Sequence, residues 1–314
     1  MATAHLFQLG FQDTLEEVSR MGGADLIFTS PPYCDARTYG EDISWNFQDY
    51  QELGDSIFQA LKPGGHCLFN VDAPIREWRP GMGSERGFMP WRIMLDWAER
   101  VGFRVVERLA FARMGLPGAY VGRFRNDWEP LFWFQRPGGE GYFDKVPLAG
   151  DAVAGHAWSC RSRRSDGTMY VRIASGWAVE EGKKHRGTLW DYGVVGKGHT
   201  GASDIEDINH PARFPYRLAL DVVQCFCPPE GLVCDPFLGG GTSLVASLFL
   251  GRNFVGGDLF GDSDGVPWIE HAARVAEGRF GSGGLALFGM EDMHNLRLVF
   301  PDREEWRLGS PEQR

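Results

Sequence analysis

The sequence predicts an α/β protein built on a mostly parallel sheet, and two observations carry that prediction. Short apolar runs alternate with stretches of helical periodicity from residue 26 to 111 and again from 214 to 257. Two of the runs end abruptly in turn-forming sequence: residues 26–28 stop before Pro31-Pro32, and residues 232–235 run into Pro236 and then Gly239, Gly240 and Gly241. Continuous apolar runs bounded in this way read as buried strands. Open α/β sheets bind ligands at the carboxyl ends of such strands.

In order, residues 5–9 read as a short strand ending near Asp13, and 14–21 as a helical turn. The strand at 26–28 follows, then a helix over 50–61 with Leu53, Ile57 and Leu61 on one face, stopped by Lys62-Pro63-Gly64-Gly65. A strand at 66–71, a helix at 91–101 ended by Gly102, and strands at 104–111 and 131–134 complete the first half. Gly and Pro then become dense, which suggests a boundary near 136. The second half has a helix at 214–226, the strand 232–235, a helix at 244–250 and a strand at 254–257, before a glycine hinge at 281–284.

The 314 residues are 43% hydrophobic and 24% charged, normal for a soluble chain of one large or two ordinary domains. No apolar run approaches the roughly 20 residues of a membrane span. The N-terminus lacks the basic-then-apolar order of a signal peptide, so the expected location is cytoplasmic, without membrane contact. Cys34, Cys67, Cys160, Cys225, Cys227 and Cys234 show no paired metal-ligand spacing; free thiols, mostly buried, are expected and no metal site. A net charge of −10 argues against nonspecific coating of nucleic acid. Between His156 and Thr200, however, eight basic residues face four acids, which marks a local basic module.

Two motifs suggest chemistry. In Thr29-Ser30-Pro31-Pro32-Tyr33 the prolines fix a rigid turn, so that Ser30 and the Pro31 carbonyl are expected to face outward as acceptors beside the Tyr33 ring. A flat ligand bearing an amine, such as an unstacked nucleobase, suits that set. In Asp235-Pro236-Phe237-Leu238-Gly239-Gly240-Gly241-Thr242-Ser243 a strand, a glycine turn and a helix form the opening of a Rossmann-like nucleotide site, and Asp258, seventeen positions after Gly241, suits ribose hydroxyls. No Lys follows the glycines, which excludes a Walker phosphate loop.

Together the two motifs resemble those of the amino-group DNA methyltransferases. Arg37-x-Tyr39-Gly40, Leu61-Lys62-Pro63-Gly64-Gly65, Pro90-Trp91-Arg92 and His210-Pro211-Ala212-Arg213-Phe214-Pro215 are similar to segments of that family in the same order. Because the Ser-Pro-Pro-Tyr motif precedes the glycine motif, the chain resembles the permuted beta group, in particular its cytosine-N4 members. The resemblance implies a Rossmann-like methyltransferase fold with an inserted target recognition domain: a catalytic half at 1–136, the insert at 137–187, a cofactor half at 188–281 and a C-terminal tail at 282–314. It implies catalysis by Ser30, Pro31, Pro32 and Tyr33. It places S-adenosylmethionine on Asp13, Thr29, His210, Pro211, Phe214, Asp235, Pro236, Phe237, Gly239, Gly241, Thr242, Ser243 and Asp258. Double-stranded DNA would meet Arg37, Arg161, Arg163, Arg164, Arg172, Lys183, Lys184 and Arg186.

Departures from the family pattern are Gln12 where Gly usually precedes the acid, Arg113 in place of Lys, and a longer loop after Asp258. Ser at the head of the tetrapeptide favours the N4 amine of cytosine, with the N6 amine of adenine as the alternative. A nicotinamide-dependent oxidoreductase leaves residues 29–33 without a role, and a DNA-binding protein on an inactive methyltransferase fold leaves the intact Ser30, Tyr33, Asp235 and Gly239 unexplained. The resemblance leaves open a homodimer and a partner restriction endonuclease.

Overall fold

The computed structural model describes residues 2–33, 45–73, 75–79, 83–112, 124–151, 158–174, 183–192, 215–261, 265–280, 285–286 and 295–300. Along them run β1 (Ala2–Phe7), α1 (Phe11–Arg20), β2 (Ala24–Thr29), α2 (Phe47–Ala60), β3 (Leu61–Asn70), β4 (Ile75–Arg79), β5 (Gly83–Arg86), α3 (Met89–Asp96), β6 (Arg104–Ala112) and β7 (Trp128–Gln135). There follow β8 (Gly150–Asp151), β9 (Trp158–Arg163), β10 (Met169–Ala174), β11 (Lys183–Lys184), β12 (Leu189–Trp190), α4 (Tyr216–Phe226), β13 (Leu232–Asp235), α5 (Thr242–Phe249), β14 (Asn253–Gly257), α6 (Trp268–Phe280), β15 (Leu285–Ala286) and β16 (Asn295–Phe300).

Ten strands form one sheet in the order β12-β6-β7-β3-β2-β13-β14-β1-β16-β15. The five central strands, β3 to β1, pair in parallel, while β7 and β16 run against their neighbours, so the sheet is mostly parallel as the sequence predicts. Both faces are covered. Leu26 and Phe28 of β2 pack with α4, α5 and α6, whereas Ile27 between them packs with α1, α2 and α3. Burial on both faces is the reason the middles of the central strands, such as Leu26-Ile27-Phe28 and Phe254-Val255, are continuously apolar. Outside this sheet, β9 with β10 and β8 with β11 make two small antiparallel pairs.

The N-terminal strand ends two residues earlier than expected. Phe11, Thr14, Leu15 and Val18 recur at helical spacing and are buried together, and Thr14 Oγ1 donates to Gly10 O over 2.9 Å. Asp13 accordingly lies in the first turn of α1, not at a strand's end. Lys62-Pro63-Gly64-Gly65 does not separate helix from strand either: β3 begins at Leu61 and runs through it, bulged between the Ala24↔Leu61 and Leu26↔His66 pairs. Gly64 has φ 84°, and a Cβ on it would stand 2.6 Å from Gly141 N. The glycines after Gln135 therefore serve close packing of the chain against this bulge. His66, just beyond it, accepts from Trp133 Nε1 at 3.0 Å, and burial pushes its pKa down to about 4, so it is neutral.

Asn46 caps α2 in a capping box with Asp49, both bonds at 2.7 Å. The helix expected at 91–101 starts two residues earlier and finishes in a π-turn, Trp97–Val101, closed by Gly102 at φ 95°. That π-turn swings Trp97 inward to donate to Tyr50 O over 2.9 Å. Gly54 on α2 is the space the indole occupies, since a Cβ there would lie 2.3 Å from Trp97 Nε1. Gly54→Ala gains about 1 kcal/mol of helix propensity but overpacks a sealed site at a cost of roughly 1–3 kcal/mol. Urea unfolding is expected to show net destabilisation; a more stable variant would mean that Trp97 can withdraw.

Candidate active site at the switch point of the sheet

β2 and β13 lie side by side, yet their crossovers leave in opposite directions. β2 passes through α2 to β3, β13 passes through α5 to β14, and the two helices cover opposite faces. The divergence opens a crevice beyond the carboxyl ends of both strands, the ligand position of open α/β sheets. Thr29 ends β2 and Asp235 ends β13.

Asp235 is buried and holds the crevice together. Its Oδ1 accepts from Thr29 Oγ1 at 2.7 Å and from Phe237 N at 3.1 Å, and its Oδ2 from Ser243 Oγ at 2.6 Å. Burial outweighs these bonds and pushes the carboxyl up to about 6. In the glycine turn Gly239 donates its N–H to Asp258 Oδ2 over 2.8 Å, and Phe260 N donates to Asp258 Oδ1 over 3.0 Å. Burial, with the Asp235 charge nearby, pushes Asp258 up to about 6 as well. Gly241 caps α5 at φ 76°, and a Cβ there would meet Ala272 Cβ at 2.7 Å, so α6 closes on the turn only because the residue is glycine. Pro236 and Thr242 are buried beside it.

Aromatic rings line the next wall. Phe237 stands 5.8 Å from Phe11 and 5.3 Å from Trp45, and Trp45 stands 5.1 Å from Tyr50, centroid to centroid. Tyr50 OH donates to Pro32 O over 2.7 Å, which anchors the proline turn to α2. Sequence reasoning missed Phe11, Trp45 and Tyr50 as site residues, because their meeting depends on how α1 and α2 pack.

The proline turn sets Tyr33 against polar side chains of β3 and β7. Tyr33 is 8% exposed, and its hydroxyl lies 3.0 Å from Asn70 Oδ1 and 3.1 Å from Glu129 Oε2. Ser30 Oγ donates to that hydroxyl across 3.4 Å. Asn70 Nδ2 donates to Pro130 O at 3.0 Å, carrying the link from β3 to β7 past their last paired residues. Pro31 is buried and Pro32 half-buried. Glu129, 5% exposed, is the residue most plainly overlooked; its signal was a lone acid between Trp128 and Pro130 at the head of an aromatic strand.

Of the other residues expected in the site, Asp13 is exposed on α1. His210, Pro211, Phe214 and Arg37 lie outside the described residues. In the β9–β10 ladder Arg161 is paired with Val171 and Arg172 with Cys160, and Lys183 and Lys184 form β11. Arg163 and Arg164 are exposed where that hairpin turns through Asp166 and Gly167. Arg186 does not stand free. It pairs with Asp221 of α4 at 2.5 Å and lies over the rings of Trp190 and Tyr192 at 4.9 and 4.8 Å. Cys67, Cys225, Cys227 and Cys234 are free and buried, as expected.

The sequence pattern described as DNA methylase, of N6 and N4 type, matches residues 24–259. The orphan methyltransferase M.BamHII of Bacillus amyloliquefaciens is 26% identical over 242 residues, covering 75% of this chain and 83% of that protein. The Type II methyltransferase M.ScaI of Streptomyces caespitosus is 26% identical over 239 residues, covering 74% and 69%. Among solved structures, the PvuII DNA methyltransferase (cytosine-N4-specific) superposes with a TM-score of 0.54 at 15% identity, covering 88% of this chain and 92% of that one. The M1.HpyAVI-SAM complex superposes with a TM-score of 0.52 at 16% identity, covering 87% and 98%. These two share the fold, and the sequence match extends over the strands and turns that build the crevice. The chain belongs to the N6/N4 DNA methylase family.

Proposed function

We propose that the protein transfers a methyl group from S-adenosylmethionine to the exocyclic N4 amine of a cytosine turned out of double-stranded DNA. The observation that carries this reading is the Thr29–Asp235 hydrogen bond, which brings the Ser-Pro-Pro-Tyr turn and the glycine turn into one crevice. The residues fit the cofactor. Asp258 at the end of β14 retains lone pairs for ribose hydroxyls after its two backbone bonds, and the turn from Phe237 to Gly241 lets the main chain come close. The rings of Phe237, Phe11 and Trp45, tilted or edge-on to one another, offer an apolar wall, and Asp235 keeps the turn in shape. The cofactor supplies a methyl group already activated on a sulfonium.

The chain's own task is to position and polarise the amine. Its lone pair is delocalised into the base, so acceptors at Ser30 Oγ and the Pro31 carbonyl, which favour a pyramidal nitrogen, raise its nucleophilicity. The pinned ring of Tyr33 offsets part of the few kcal/mol needed to unstack the base. Ser30 favours cytosine over adenine. The order of the motifs supports the beta-group reading, with residues 137–187 as a target recognition domain. In that domain Arg163 and Arg164 suit DNA best, whereas Arg186 is held by Asp221. The restriction and orphan methyltransferases it is similar to support a role in restriction-modification or in marking DNA.

Incubation with S-adenosylmethionine and mixed-sequence DNA, then nucleoside mass spectrometry, is expected to yield N4-methylcytosine, with a loss of about 10²-fold in Ser30→Ala and Tyr33→Ala. N6-methyladenine would overturn the reading of Ser30, and unmethylated DNA would overturn the proposal. Cofactor affinity is expected to fall as pH drops through about 6, where Asp258 and Asp235 take up protons and stop accepting fully. Linkage limits the loss to about tenfold per pH unit for each proton. Calorimetric titration of Asp258→Asn should show weaker binding and a shallower pH slope; an unchanged slope would remove Asp258 from the site. Arg163→Ala and Arg164→Ala are each expected to lower the salt slope of DNA binding by about 1. Unchanged affinity across salt concentrations would take the hairpin out of the interface.

A further inference from the structure

Resting on the catalytic reading of Ser30, we infer that Glu129 ends a proton relay, Ser30 to Tyr33 to Glu129, which turns Ser30 Oγ towards the amine as an acceptor and takes the proton the amine sheds. A tyrosine hydroxyl has one proton to donate and lone pairs to accept with. Among the described residues, Tyr33 OH has Ser30 Oγ at 3.4 Å as a donor, and Asn70 Oδ1 at 3.0 Å and Glu129 Oε2 at 3.1 Å as acceptors. The bond from Asn70 Nδ2 to Pro130 O fixes which end of that amide faces Tyr33, and it is the neutral oxygen. A bond to an ionised acceptor is roughly twice as strong as a neutral one. The Tyr33 proton therefore lies towards Glu129, and the Tyr33 oxygen accepts from Ser30. With its own proton directed inward, Ser30 presents lone pairs to the crevice.

Methylation leaves the amine nitrogen cationic. One N–H bond breaks and its proton goes to Ser30 Oγ, while the Ser30 proton passes to Tyr33 and the Tyr33 proton to the Glu129 carboxylate. The methylated amine ends neutral, both hydroxyls are restored, and Glu129 ends as a carboxylic acid. The first link is long at 3.4 Å, and catalytic hydrogen bonds commonly tighten when substrate binds. Tyr33 and Glu129 are both nearly sealed from solvent, so a carboxylate delivered by β7 does here what bulk water cannot.

Glu129 is on this account a positioning residue that acts through Tyr33, and Glu129→Gln keeps its shape while removing its charge. Single-turnover methyl transfer in Glu129→Gln is expected to slow about 10²-fold, with KM for DNA and cofactor affinity unchanged. Tyr33→Phe should lose a similar factor, the double variant no more than Tyr33→Phe alone, and Glu129→Asp should recover part of the rate. Infrared difference spectra at turnover should show a protonated-carboxyl band that Glu129→Gln lacks. A Glu129→Gln rate within threefold of wild type, losses that multiply in the double variant, or Tyr33→Phe at full rate would each overturn the relay. Where Ser30→Ala is still inactive in those cases, the catalytic site itself stands; a fully active Ser30→Ala would instead overturn the site. Should Glu129→Gln fail to fold, the Tyr33→Phe and Glu129→Asp rates decide.

Discussion

The carboxylate of Asp235 is the tie on which the rest of the site depends. An isolated buried carboxylate costs several kcal/mol, and burial survives here because three donors converge on it. Those donors come from three elements: Thr29 at the end of β2, Phe237 in the glycine turn and Ser243 in the first turn of α5. Thr29 and Asp235 are 206 positions apart, and one 2.7 Å bond sets the distance between the two turns. The carboxyl nonetheless has its pKa pushed up to about 6, so this tie, like Asp258, is sensitive to mild acid.

Around it the site is assembled by close backbone approach. Gly257 passes so near to Thr14 that a Cβ would stand 2.0 Å from Thr14 Oγ1, which lets α1 sit against β14 below the crevice. Leu238 N donates to Gly257 O over 2.9 Å, so the glycine turn folds back on the strand whose next residue is Asp258. The other side depends on polar groups shared between strands: Asn70 of β3 and Glu129 of β7 both reach Tyr33, although β7 runs against β3. Asp72, just past β3, accepts from Arg86 at 2.5 Å and holds the β4–β5 hairpin beside that rim.

The periphery is held to the same sheet. β16 pairs with β1 through six residues, so Asn295–Phe300 extend the sheet beside the first strand of the chain, and β15 forms the edge beyond it. At the opposite edge β12 adds in parallel to β6, and Arg186 with Tyr192 grips Asp221 of α4 beneath it. Burial pushes Asp221 up even with a guanidinium and a phenol beside it, which marks this as a packed anchor.

By itself the sequence determined the class of the fold, the two turns and the chemistry they imply. These are local properties: continuous apolar runs, prolines that end a strand, glycines followed by helical periodicity, and an acid one strand later. It also pointed to the family, because the motifs stand in the family's order. Only the tertiary structure decided which strands are neighbours, and with that the partners of each site residue. Asp235, expected at the cofactor, gains Thr29, Phe237 and Ser243 as partners, and the hydroxyl of Tyr33, expected beside the base, gains Asn70 and Glu129. Trp45 carried no local signal, since it lies ahead of a helix cap, and Glu129 carried only that of an acid between Trp128 and Pro130, which does not show the strand it will face. Lys62-Pro63-Gly64-Gly65 read as a break and became a bulged strand, because pairing with β2 outweighs the preferences of Pro and Gly. Contacts between residues far apart in the chain depend on packing, and packing leaves no periodicity to read.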